Sequence, residues 1–417
     1  MQKLIELLTA RTAPSESVLQ SRGQRIEGLE AVRAIAALAV VIDHAFSVSL
    51  IDDSFYISPL ITNTFFGHAA VLLFFVLSGY VIGLATNNPF STPAVRLYAL
   101  KRIARLYPIY LVGLLLGWAT GGPANLTEAV GNLLMFAGLK PYFGVVMKPP
   151  VTNPALWSIA YEAVYYVVFV ALWAWKPRWG IVFCIAGFLS LFSLPLVIVP
   201  VFLSSWASGF LFWAAGLWLA WNAVRGATLK RPLLSWFLLL IAINRMGPIL
   251  YPAAALFKNK TSWPIVTIAD IVYIPACLLI ICDAAGIVLS WRRVWIALAF
   301  LLPLLGLAEW FAGKGLDVGE PRVRVAIGVL VAAGALYRVR GTLAHIRWLA
   351  WLGACSYGIY AIHYPILWMF KLHFPWDGSL LRTGLGVAIF FLIVIGGSYL
   401  LESTARRVFL DPLRGKK

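Results

Sequence analysis

Apolar residues run along this chain in blocks of about twenty, parted by short polar stretches that hold most of the Lys and Arg. A helix rises about 1.5 Å per residue, so a block of that length crosses a hydrocarbon layer of about 30 Å. The pattern predicts spans near 31–51, 66–86, 103–119, 155–175, 179–200, 203–223, 233–255, 264–285, 294–311, 322–339, 348–370 and 380–402. The expected fold is therefore all-α, a polytopic transmembrane helix bundle of about 10–12 spans over 31–402, flanked by a cytoplasmic segment at 1–30 and a basic cytoplasmic tail at 403–417. A short interfacial helix is expected near Leu4 to Ala10. Two spans show signs of a break or a re-entrant turn: 233–255 contains Asn244, Arg245, Gly247 and Pro248, and 294–311 is short. The Gly- and Pro-rich stretch 120–154 is the longest external connection.

Composition excludes a soluble globule, because 61% of the 417 residues are hydrophobic and 12% charged, against about 45–50% and about 25% in soluble domains. A net charge of +17 would suit a nucleic-acid binder, but its placement points to topology instead. With the N-terminus inside, the inner segments collect Arg96, Lys101, Arg102 and Arg105, then Lys176 and Arg178, Arg292 and Arg293, and the tail from Arg406 to Lys417; the outer segments receive far fewer. Both termini are thus expected in the cytoplasm, with membrane lipids and not nucleic acid as partners. Cys184, Cys277, Cys282 and Cys355 lie in apolar runs without metal-ligand or redox spacing, so free thiols and no metal are expected. Residues 1–30 mix acidic and basic side chains and lack a long apolar core, so no secretory signal peptide is expected.

Ionisable and polar residues inside spans carry the candidate chemistry. Arg33 and His44 are eleven positions apart, which returns them to one helix face about 16 Å apart along the axis. Two readings stand: Arg33 snorkels to headgroups and His44 packs by a hydrogen bond, or the pair serves a reaction in which neutral His44 is a general base. Arg102 and Arg105, at i and i+3, form either an inner-face anchor or a phosphate site. Glu162 lies one turn beyond Ser158 and beside Tyr166; it orients the histidine, holds an acceptor hydroxyl, or bonds a neighbouring helix. Ser356, Tyr360 and His363 make a polar stripe that packs or lines an acceptor cavity. Ser78 and Gly79 are read as close helix packing.

These stretches together resemble the acyltransferase 3 family of integral-membrane acyltransferases. Arg25 to His44 is similar to its opening motif, Phe74-Phe-Val-Leu-Ser-Gly-Tyr80 to its second span, and Arg102-Ile-Ala-Arg105-Leu-Tyr-Pro108 to the basic start of its third. Leu156-Trp157-Ser158-Ile-Ala-Tyr-Glu162 resembles its Trp-Ser and Glu segment; Ser356 to His363 and Leu401-Glu402 resemble its closing helices. Glu30 stands where the family usually has Asp, and residues 225–345 match no motif. The resemblance implies transfer of an acyl group, with acetyl the expected one, from cytoplasmic acyl-coenzyme A to a hydroxyl of an extracytoplasmic or lipid-linked glycan in a bacterial inner membrane. Its implied catalytic residues are His44 and Glu162, its donor-binding residues Arg33, Arg102 and Arg105, and its acceptor-binding residues Trp157, Ser158, Tyr360 and His363. The competing class is a twelve-span secondary transporter or glycan flippase, which would gather polar residues at the midplane of two pseudo-symmetric halves. Here they cluster in the first four and last two spans.

Overall fold

A computed structural model describes residues 27–47, 59–86, 88–123, 125–136, 150–191, 201–222, 224–225, 232–246, 267–339, 349–373 and 379–414. The interfacial helix expected near Leu4 to Ala10 and most of the 1–30 segment lie outside them. Among the described residues the longer helices are α1 (Glu27–Ser47), α2 (Gly67–Ala85), α3 (Thr92–Gly121), α4 (Leu156–Trp175), α5 (Trp179–Leu191), α6 (Val201–Asn222), α7 (Leu233–Met246), α8 (Ile274–Ala285), α9 (Arg292–Lys314), α10 (Pro321–Leu336), α11 (Ser356–His373) and α12 (Leu380–Ala405). Val224–Arg225 pairs antiparallel with Ile287–Val288, a two-residue strand contact beside these helices.

Each apolar block of the sequence meets one of these helices, and among the described residues seven segments are long and apolar enough to cross a membrane. The chain is an all-α, multi-pass membrane protein. Helix α1 is not among the seven, since it carries Glu27, Glu30, Arg33 and Asp43. Helix α3 starts eleven residues before the apolar run, where Ser91 accepts from the Ala94 N–H and Pro93 fits the first turn, and it ends at Gly122, whose φ of 63° suits glycine. Its 30 residues measure about 45 Å, longer than the hydrocarbon layer, so its basic first turns extend beyond that layer. Helix α9 is continuous over 23 residues despite Pro303, longer than the apolar run suggests, because Arg292 and Lys314 stand at its two ends. Helix α7 stops at Met246, and the rest of that expected span lies outside the described residues.

The chain divides into two compact units, one of residues 1–32, 58–87 and 175–350, the other of residues 33–57, 88–174 and 351–417. In the first unit α2 packs against α6. Gly79 and Gly216 bring the two backbones together, and the Trp213 and Trp221 indoles donate to Ser78 Oγ at 3.3 Å and to the Gly83 carbonyl at 3.2 Å. Ser78 is thus used in packing. Buried Asp283 accepts from Trp236 Nε1 at 2.5 Å and from Arg292 at 2.8 Å. At the start of α2 His68 pairs with Asp270 at 3.2 Å, while Asn244 and Arg245 both donate to the Phe65 carbonyl.

The second unit holds α3, α4, α11, α12 and residues 33–47 of α1. Within it α11 packs on both α3 and α12, and Gly358 and Gly113 admit close approach to Ser398 and to the Ala361 carbonyl. All nine residues singled out as catalytic, donor-binding or acceptor-binding lie in this unit.

Candidate functional site

Two histidines from opposite ends of the chain meet in the second unit. His44 Nδ1 lies 2.8 Å from His363 Nε2, with the ring planes within 5° of parallel and 5.1 Å between centroids. His363 is fully buried, and its Nδ1 is 2.8 Å from the Tyr360 carbonyl and 3.1 Å from the Ile359 carbonyl. A carbonyl only accepts, so Nδ1 of His363 carries its proton and Nε2 of the neutral ring is the acceptor. His44 must then donate through Nδ1, which makes Nε2 the basic nitrogen of His44. A backbone carbonyl three residues back thereby assigns the tautomer of a histidine on another helix. Tyr364 meets the His44 ring edge-on at 5.1 Å.

The polar stripe on α11 serves two neighbours. His363 faces α1, while the Tyr360 hydroxyl is 2.6 Å from Ser158 Oγ on α4. Four residues beyond Ser158, Glu162 accepts from the Tyr166 hydroxyl at 2.5 Å, and Trp157 stands edge-on to Tyr161 at 5.1 Å. Tyr166 is also one of two rings that hold Arg102, whose guanidinium lies 5.8 Å from its centroid and 5.7 Å from that of Tyr98. Arg102 Nε is buried without a hydrogen-bond partner, and no carboxylate pairs with this side chain among the described residues. The aromatic faces hold the cation by their quadrupole attraction. Arg33 and Arg105 are half-buried.

The structure therefore joins His44 to His363, Ser158 to Tyr360, and Glu162 to Arg102 through Tyr166. The sequence reading placed His363 in the acceptor stripe and left Glu162 to orient His44, hold an acceptor hydroxyl or bond a neighbouring helix; the structure brings His363 to Nδ1 of His44. It missed Asn153 altogether. This side chain is fully buried, and its Nδ2 bridges the Gly113 and Ala361 carbonyls at 2.9 Å each, while Thr152 Oγ1 donates to the Gly117 carbonyl at 2.5 Å. The only signal for it was two polar residues just ahead of the apolar run of α4, in Val151-Thr-Asn-Pro154.

A sequence-family model described as an acyltransferase domain matches residues 26–403. Acyltransferase MdmB of Streptomyces mycarofaciens is 30% identical over 157 residues, which make up 36% of this chain and 39% of that protein. The chain thus spans well under half the length of this curated relative. No solved structure is a significant match.

Glu402, from the closing motif, accepts the backbone N–H of Gly358 at 3.0 Å. That N–H belongs to the first turn of α11, where no intrahelical carbonyl is available, and a carboxylate there also faces the positive end of the helix. Glu402→Leu strands a donor and is expected to lower stability by about 1–3 kcal/mol. Glu402→Gln keeps an acceptor oxygen and retains most of it. Thermal unfolding of both variants in one detergent checks this; equal losses would remove the N–H contact as the cause.

Proposed function

We propose, because the chain belongs to the family defined by this acyltransferase domain, that it is a membrane-embedded O-acyltransferase moving an acyl group, acetyl as the first candidate, from acyl-coenzyme A to a hydroxyl of an extracytoplasmic or lipid-linked glycan. The observation that carries the reading is the His44–His363 contact at 2.8 Å, which supports Nε2 as the basic nitrogen of His44. In the proposed reaction the hydroxyl oxygen attacks the thioester carbonyl carbon while His44 Nε2 takes the hydroxyl proton. The C–S bond then breaks, the acyl group stays on oxygen, and the departing thiolate takes the proton back from His44. Between these steps the imidazolium donates its Nδ1–H to the lone pair of His363, which in turn donates to the Tyr360 carbonyl. The positive charge is thus held by a hydrogen-bond chain that ends on a backbone carbonyl.

Support for an anionic donor comes from Arg102, a half-buried cation stacked on Tyr98 and Tyr166 with no carboxylate beside it among the described residues. Arg33 and Arg105 join it in the proposed donor site, and Arg33 stands about 16 Å along α1 from His44. That separation suits a long donor whose phosphates and thioester bind at different depths. Trp157, Ser158 and Tyr360, with Glu162, are proposed to face the acceptor. The alternation of Lys and Arg along the chain supports cytoplasmic placement of both termini, and a bacterial inner membrane is the location proposed from the family resemblance.

Purified protein incubated with a panel of acyl-coenzyme A thioesters and a hydroxyl acceptor should release free thiol. His44→Ala should lower turnover by about 10² to 10⁴ with donor affinity nearly unchanged. Arg33→Ala and Arg102→Glu should instead weaken donor binding, read by calorimetry on monodisperse protein. A His44→Ala variant keeping more than about a tenth of wild-type turnover would contradict the proposed base. For orientation, a cysteine at position 125 should react with an impermeant reagent in intact cells and one at position 178 should not; the reverse pattern inverts the topology.

A further inference from the structure

Helix α11 contains Pro365, two residues beyond His363. Proline has no N–H, so the Ala361 carbonyl, four residues back, lacks its intrahelical donor. That carbonyl accepts from Asn153 Nδ2 at 2.9 Å, and the same nitrogen donates to the Gly113 carbonyl of α3 at 2.9 Å. The approach is close: a Cβ on Gly113 would lie 2.5 Å from the Ala361 oxygen. Asn153 is fully buried and anchored through its NH2 group, since its Oδ1 has no hydrogen-bond partner. The carbonyl it holds, that of Ala361, follows directly on the Tyr360 carbonyl that takes the His363 proton at 2.8 Å. The two consecutive peptide units share the Ala361 Cα, so a shift of the helix backbone at Ala361 reaches the Tyr360 carbonyl as well.

We propose that Asn153 is a positioning residue: it stands in for the N–H that Pro365 lacks, holds the Ala361 carbonyl of α11 in place, and so aims His363 Nε2 at His44 Nδ1. The inference deepens the acyl-transfer reading, in which His44 is the base, and it goes beyond that reading in naming what holds the base's partner in place. Asn153 touches two backbone carbonyls and acts on the chemistry through His363 alone.

The test uses Asn153→Asp, which keeps the shape of the side chain and removes both N–H donors, in the full-length protein labelled with ¹⁵N at its histidine rings. Signals are assigned with His44→Gln and His363→Gln. In the wild type His44 should show one tautomer, protonated at Nδ1; in Asn153→Asp it should become a tautomer mixture. Turnover should fall at least about tenfold with donor KM within about twofold, as expected when a base loses its orientation and not its substrate. An unchanged His44 spectrum in the variant overturns the proposal. Absence of turnover in the wild type would defeat the acyl-transfer reading instead, and the spectrum would still decide this one. A second measurement covers poor folding of the single variant. Pro365→Ala restores a backbone N–H to the Ala361 carbonyl, so Asn153→Ala should cost less thermal stability in that background than beside Pro365, up to recovery of folded protein. Equal cost in both backgrounds counts against Asn153 as the substitute donor.

Discussion

The hydrogen bond from His363 Nδ1 to the Tyr360 carbonyl is the constraint on which the site depends. Imidazole has two equivalent choices for its single proton until something removes one, and a carbonyl does so because it can only accept. Once His363 is assigned, His44 has no remaining choice, and its Nε2 becomes the basic atom. No carboxylate is needed for that assignment. In a buried, weakly polar setting a backbone dipole orients a ring without adding a second charge that would itself need compensation.

The two units handle charge differently. In the first, buried Asp283 is matched to Arg292 and Trp236, and the more exposed His68 meets Asp270, so each of these carboxylates has a nearby donor. In the second, Arg102 rests on the faces of Tyr98 and Tyr166 with no carboxylate partner among the described residues. A cation held by aromatic faces keeps most of its field for an incoming anion, whereas one locked to a carboxylate does not. The acyl-transfer account uses this contrast: polar groups of the first unit close helix packing, and those of the second are arranged around something to be bound.

Most of the helical framework was legible in the chain, because twenty apolar residues and a basic flank leave little else for a segment to become. Residues 233–246 and 292–314 were harder. Arg245 and Asn244 inside an apolar run suggested a break, and their actual task, holding the Phe65 carbonyl, depends on a residue 180 positions away. The contacts among the candidate residues were not legible in the sequence. His44 and His363 both stood out as histidines in apolar helices, but 319 residues separate them and helical periodicity relates only near neighbours. Asn153 could not be found at all by such reasoning. Its role follows from Pro365, which vacates a carbonyl in one helix, and from Gly113, which lets another helix come close enough to share the same amide.

The central claim is that His44 and His363 act as one unit, and a double-mutant cycle on turnover measures this directly. His363→Phe keeps the ring and removes the acceptor, so it should lose much of the rate that His44→Ala loses. If the pair works as described, the double variant turns over no more slowly than His44→Ala alone, since an absent base has no orientation left to lose. Losses that multiply in the double variant would show that the two histidines contribute independently, and would contradict the account.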